Sequence, residues 1–317
     1  MSAVRSVGAH RQRGVALITA MIIFALAMML ASDVAFKGFL DQRRASMLIS
    51  TDQAYEVALG AEAWAADILR KDARETKVDH LGEAWAQPLP VLPVDEIGTI
   101  EGRLVDMQGR FNLNNLINAK DRTVDKDAQK QLERILARLD IETTWAAMIA
   151  DWIDEDTQPG FPEGAEDSVY TSQTPPHLTA NMPITRVSEL LVMPEFGIER
   201  FRKLEPYVSA LPSGTSVNVC TAPGIVLDSF ADEQNFVDEV DLAKRRTDAC
   251  FPTVEEFHNT VGDAVWNKVK THVTNSTNYF GATVWVTIGT TQFTLYSLLD
   301  RESNGPVRPI LRSFGTE

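Results

Sequence analysis

The densest set of side chains able to do chemistry is DWIDEDTQPGFPEGAED, residues 151–167. Asp151, Asp154 and Asp156 precede a loop rich in proline and glycine, and Glu163, Glu166 and Asp167 follow it. A hard cation such as calcium takes roughly six to eight oxygens from carboxylates, carbonyls and water. A helix end feeding a loop supplies both side-chain and backbone oxygens. The preferred ligands are Asp154, Asp156, Glu166 and Asp167, with Glu163 and Asp151 as outer members. The spacing is not that of an EF-hand, and a solvated acidic loop is the plainer alternative. A catalytic metal site is disfavoured, because the nearest base candidate in sequence is His177.

Other catalytic signals are missing. The chain has no nucleophile elbow, P-loop or HExxH motif. The stretch VSELLVMPEFGIERFRKLEPYV, residues 187–208, resembles a helix-hairpin-helix, but its hairpin carries Pro194 and Glu195 with the single glycine Gly197. A carboxylate and so few free backbone N–H groups suit packing better than phosphate binding. The charge balance agrees: 30 Lys and Arg against 44 Asp and Glu give −14, which repels nucleic acid. The chain reads as a non-enzyme.

These residues need elements to hold them, and the N-terminus is the most informative of those. Val15–Ala31, VALITAMIIFALAMMLA, has Thr19 as its one polar side chain. Its length lies at the lower edge of what spans a bilayer, about 17–25 residues. Arg5, His10, Arg11 and Arg13 precede it without an acid. By the positive-inside rule the chain after Ala31 faces outward, so the protein is expected to cross a membrane once with its C-terminal part outside the cytoplasm. Outside the cytoplasm Cys220 and Cys250 are expected as a disulfide, the alternative being two buried thiols. No proline occurs before Pro88, and apolar residues recur at Phe36, Leu40, Met47, Ala54, Ala58, Ala61, Ala65 and Ile68. Steps of three, four and seven mark one helical face, so one helix is predicted over 15–71.

Further on, Pro88, Pro90 and Pro93 mark a connector within 72–98. A strand pair is predicted at Thr99–Asp106 and Arg110–Leu113, with Gly109 in a positive-φ turn between them. Helical signals follow at Lys126–Leu139, at Thr143–Ile153 behind a threonine cap, and in turns near Arg186–Leu191, Ile198–Tyr207, Pro223–Phe230 and Glu239–Arg246. Thr253 and Glu256 form a capping box. Alternation returns at Phe280–Ile288 and Gln292–Leu299 around a turn at Gly289–Thr291, and Val307–Phe314, with Pro309, suits an edge strand. The predicted fold is α+β: a long N-terminal helix packed on a small antiparallel sheet, residues 72–117 and 274–317, with a large helical domain, 118–273, inserted.

The sequence RQRG|VALITA, residues 11–20, resembles the leader and helix of type IV pilin-like proteins. In that superfamily a prepilin peptidase cuts after the glycine, here Gly14, and methylates the new N-terminus, here Val15. Residues 1–14 would be the leader. The fifth mature residue is usually Glu and here is Thr19; the subgroup that characteristically lacks that Glu is the K-type minor pseudopilin of the type II secretion system (general secretion pathway protein K). The chain is similar to that family at DMQGRFNLNNL (106–116), DWIDED (151–156), GAED (164–167), VSELLVMPEF (187–196) and SVNVCTAP (216–223). In the last, Cys220 stands where the family's N-x-N-T-A stretch has its second Asn. The resemblance implies the same architecture, calcium in the inserted domain, and I- and J-type minor pseudopilins as partners. It also implies an inner-membrane anchor with the C-terminal domain in the periplasm, and a place at the tip of a pseudopilus that exports folded proteins, near the secretin or the exoprotein cargo. A minor pilin of a type IV pilus and a membrane-anchored calcium-binding periplasmic domain are the alternatives.

Overall fold

The fold is seen in a computed structural model, which describes residues 13–94, 98–160, 163–236, 238–302 and 306–315. Helix α1, Arg13–Glu75, runs unbroken for 63 residues, about 95 Å at the usual rise. Its continuity follows from the absence of proline and from abundant Ala, Leu and Met. Val15 to Leu30 is exposed on all sides. Among the described residues this is the one helix long and apolar enough to cross a membrane. Most of the expected leader, residues 1–12, lies outside the described residues, while Gly14 and Val15 belong to the first turn of α1.

The C-terminal half of α1 lies on a sheet. Strands β1 (Leu92–Val94) and β2 (Gly98–Asp106) come first, and short strands β3 (Phe111–Asn112), β4 (Val208–Ser209), β5 (Val217–Asn218) and β6 (Val273–Thr274) sit in the intervening chain. Then β7 (Tyr279–Ile288), β8 (Thr291–Arg301) and β9 (Val307–Phe314) complete a five-stranded antiparallel sheet of order β1-β2-β7-β8-β9. The sheet's inner face is the even-spaced set Phe280, Ala282, Val284, Val286 and Ile288 with Leu295 and Leu299. It receives Ala54, Ala58, Ala65 and Leu69 of α1, where alanines let the helix axis approach closely. Glu62 is buried in that contact and is held by the Ser297 hydroxyl and by Arg312, the latter at 2.9 and 2.7 Å. As expected, Pro309 sits on an edge strand, where the β8–β9 register slips between Leu298 and Leu299.

Between β2 and β7 the chain forms α2 (Lys126–Arg138), α3 (Trp145–Ile153), α4 (Asp167–Tyr170), α5 (Gly197–Leu204), α6 (Gly224–Asp228), α7 (Glu239–Arg245) and α8 (Val254–Val269). The Thr253–Glu256 capping box starts α8. Two apolar clusters fill this unit, one around Leu132, Ile135, Trp145, Ile149 and Phe196, the other around Val219, Leu227 and Phe257. Cys220 and Cys250 form a disulfide within the second.

Four expectations are corrected. Thr99–Asp106 does not pair with Arg110–Leu113. Strand β2 pairs with β1 and β7, whereas Phe111–Asn112 pairs in parallel with Val208–Ser209. Leu113 and Leu116, expected in the sheet unit, pack among the helices. Gly109 is not in the positive-φ region; it is required because a Cβ there would meet the Thr221 hydroxyl at 2.7 Å. Finally, α3 starts at Trp145 with no side-chain cap, Thr144 itself being helical; backbone N–H groups of Trp145 and Ala146 bond the carbonyls of Glu142 and Thr143 instead.

The two units meet through buried polar groups. Asp106 ends β2 and is fully buried. Its Oδ2 accepts from Asn218 Nδ2 (2.9 Å) and from the hydroxyls of Thr221 and Thr277 (both 2.6 Å), and its Oδ1 from the Gln108 N–H (2.7 Å). The turn out of the sheet at residues 107–108 is set by that carboxylate.

Candidate functional site

Helix α3 ends at Ile153, and Asp154 leaves it in an extended conformation (φ −70°, ψ 169°). Asp156 Oδ1 accepts from the Gln158 N–H at 2.7 Å, an Asx turn that starts the loop. The loop returns at Glu166, also extended, just before α4. These backbone turns bring one oxygen each of Asp154, Asp156 and Glu166 within 4.8 Å of one another. Asp154 and Glu166 are 5 % and 3 % exposed, and Asp156 opens to solvent.

Their polar atoms are poorly satisfied. Among the described residues, Asp154 Oδ1 and both oxygens of Glu166 are buried without a hydrogen bond of ordinary geometry. Burial pushes the Asp154 carboxyl up to about 6, and the charges of Asp156 and Asp151 add to it. Burial likewise pushes Glu166 up to about 7, opposed by the Thr179 side chain and helped by the charges of Asp151, Asp154 and Asp156. Unpaired buried carboxylates are costly, and a cation is what relieves them. The donor set is all oxygen, partly open to water, and suits a hard dication.

Three other acids foreseen as ligands are placed differently. Asp151 is buried, and its Oδ2 accepts from the Gly160 N–H at 2.9 Å. A Cβ at Gly164 would fall within 2.0 Å of that oxygen, so glycine lets the loop close over Asp151. Asp167 Oδ1 accepts from the Thr179 N–H (2.9 Å) and hydroxyl (3.0 Å), pinning a neighbouring segment. Glu163 is exposed. His177, the nearest imidazole in sequence, turns Nδ1 toward the Pro175 carbonyl.

Asn181 was not foreseen. It adopts φ +47°, its amide Nδ2 donates to the Asp156 carbonyl at 3.2 Å, and its Oδ1 is buried without a partner among the described residues. Nothing in the local sequence marks it, since it reaches the site from beyond the second proline-rich loop.

A second acidic cluster also escaped the sequence reading. Oxygens of Asp72, Asp79 and Glu83 lie within 4.8 Å of one another. Here the chain supplies the cation: Arg301 bonds Asp72 at 2.9 Å and both Asp79 oxygens at 2.6 Å. Glu83 is met by the Thr76 hydroxyl (2.8 Å), the His80 N–H (3.0 Å) and Trp85 Nε1 (2.8 Å).

At the other end of the molecule, the Thr19 hydroxyl donates into its own helix, to the carbonyls of Val15 (3.1 Å) and Ala16 (3.0 Å). The apolar helix therefore carries no charged group at this level.

Residues 109–213 match the family model described as type II secretion system protein K. The chain is 34 % identical to the type II secretion system protein K of Pseudomonas aeruginosa, over 96 % of this chain and 93 % of that one. It is 34 % identical to the Klebsiella pneumoniae protein of the same name, over 78 % and 79 %. Among solved structures, it is similar to a chain of the GspK–GspI–GspJ complex of the enterotoxigenic Escherichia coli type 2 secretion system. That match has a TM-score of 0.76 at 26 % identity, covering 86 % of this chain and all of that one.

Proposed function

The chain belongs to the type II secretion system protein K family of minor pseudopilins, and from that premise we propose that it is the tip subunit of a pseudopilus. The observation that carries the tip position is Thr19. In a pilin-like bundle, the mature N-terminal amine is buried among apolar helices, and a buried charge is costly unless paired. A glutamate at the fifth mature position of one subunit pairs with the amine of the next. Thr19 is neutral, and its hydroxyl is spent on its own helix. A subunit stacked above this one would have its amine unpaired, so the first and outermost position is the one that suits it.

In this reading a prepilin peptidase cuts between Gly14 and Val15, α1 anchors the subunit in the inner membrane, and the sheet and helical unit stand in the periplasm. I- and J-type minor pseudopilins are the partners, by similarity to the solved complex of GspK with GspI and GspJ. Together they start the filament whose outer end faces the secretin and the exported protein. The role is structural and not enzymatic. The type IV minor pilin and the stand-alone anchored domain are set aside by the family membership.

We also propose calcium as the ion of the acidic loop, held by Asp154, Asp156 and Glu166. Bound there, it supplies the positive charge those carboxylates lack. The residues themselves join the end of α3 to the start of α4, so filling the site braces the helical unit.

The test of position is a tag on the C-terminus of the chain, viewed on purified pseudopili. Label confined to one filament end is expected, with label entering the shaft for Thr19→Glu. Wild-type label along the shaft would overturn the tip assignment. Intact mass of the co-expressed, peptidase-treated chain should give a start at Val15 with one added methyl.

A further inference from the structure

Beside strand β2, where the sheet meets the helical unit, lies a groove that neither the anchor nor the acidic loop uses. It consists of two cavities of about 410 Å³ each, and both are lined by Arg103 and Arg110. One side has an apolar floor of Met107, Phe201, Leu298 and Leu311. The other is walled by Trp85, Pro206 and Pro223. The two arginines line both cavities, and each cavity adds apolar side chains of its own.

The groove's charge contradicts that of the molecule. The protein carries −14 overall. The first cavity holds Arg103, Arg110 and Arg186 against the single carboxylate of Glu205. In the second, the one acid, Asp106, is buried and already accepts four hydrogen bonds. Arg186 is committed: it donates to the Ser313 hydroxyl (3.0 Å) and the Arg312 carbonyl (3.2 Å), closing one end of the groove. Arg110 is half committed, to the Glu205 carbonyl at 3.2 Å and its carboxylate at 3.5 Å. Arg103 is exposed, lies over the Trp285 ring at 5.5 Å, and makes no ion pair among the described residues. With 44 acidic residues on the chain, an unpaired guanidinium in an apolar groove is a receptor for a carboxylate from elsewhere.

We propose that this groove receives an extended segment of a partner protein in which a carboxylate stands between aliphatic side chains. The carboxylate lies on Arg103 and Arg110, where guanidinium geometry favours bidentate hydrogen bonding. The aliphatic residues fall into the two cavities. Charge complementarity with a cationic groove on an acidic protein gives selectivity, and apolar burial gives adhesion.

The test uses the full chain in detergent and a fluorescein-labelled six-residue peptide with one central Glu flanked by Leu and Val, followed by anisotropy. Saturable binding is expected. It should weaken about tenfold or more in Arg103→Glu and by less in Arg110→Gln. It should also weaken with added salt. Arg103 is exposed, so the variant should keep the wild-type melting temperature, which is measured alongside. Two control peptides decide the chemistry. One has Lys for the central Glu, and the other has Ser for the aliphatic residues. Equal binding of the Lys peptide, equal binding of the Ser peptide, or unchanged binding by Arg103→Glu would each overturn the proposal. None of these outcomes bears on the tip assignment, which rests on Thr19.

Discussion

Two triads of carboxylates, built from similar residues, are solved in opposite ways. Asp72, Asp79 and Glu83 close around Arg301, and their oxygens meet a guanidinium, a hydroxyl, a backbone N–H and an indole N–H. Asp154, Asp156 and Glu166 have no such cation among the described residues, and three of their oxygens are buried there without a hydrogen bond of ordinary geometry. An acidic cluster alone therefore says little about metal. The informative quantity is the balance between buried negative charge and the donors that face it.

The largest effect should come from removing the built-in cation. Arg301→Met leaves Asp72 and Asp79 without their partner and is expected to cost about 3–5 kcal/mol, read as a fall in the urea midpoint at unchanged slope. Calcium should not rescue it. A rescue would erase the distinction between the two clusters.

Next is removal of the supplied cation. Chelating calcium from the wild-type chain should lower its stability by about 2–3 kcal/mol if the ion stood at a hundred times its Kd. The double variant Asp154→Asn, Glu166→Gln should lose most of that response. A wild-type melting temperature indifferent to both calcium and chelator would end the calcium proposal.

The pH response gives a smaller but more pointed contrast. The carboxyls of Asp154, at about 6, and Glu166, at about 7, are raised above their unfolded values. A raised acid binds its proton more tightly when folded, so without calcium the chain should gain stability as pH falls from about 7 toward about 4.5. With calcium bound, the same protons compete with the ion, and stability should fall over that window. Asp72, raised to about 7 mainly by burial and then by the charges of Glu83 and Asp79, titrates in both conditions and cancels in the difference. Parallel pH profiles with and without calcium would contradict this. Least affected of all should be Glu163→Gln, within about 0.5 kcal/mol in stability and with calcium affinity unchanged, because Glu163 faces solvent.

What the sequence made legible follows from how locally each feature is encoded. The long helix and strands β7, β8 and β9 carry their period in consecutive residues, and so does the acidic density that pointed to Asp154, Asp156 and Glu166. The strand pair at 99–113 was misread because β2 finds its neighbour in β7, with Asp106 opposite Phe280 across the whole helical unit. A nearby turn residue looked like the cheaper partner. The Arg301 cluster and Asn181 were invisible for the same reason. Their members converge from segments far apart, and no spacing rule joins them. Among the six foreseen ligands, the sequence could not separate those facing one another from those, such as Asp167, engaged in holding a loop.

The helical unit leaves the sheet at Asp106 and returns at Phe280, on adjacent antiparallel strands. A tug on that unit therefore draws β2 and β7 along their axes in the same sense. The load falls in shear on the strands' flanks, where β1, β8 and α1 grip them, and the bonds of those ladders resist together. Had the unit been strung between distant parts of the sheet, the same tug would peel the ladder open one bond at a time. As built, the attachment is a handle fixed at both roots to one place, and a thrust delivered through α1 can reach the sheet without passing through the helical unit.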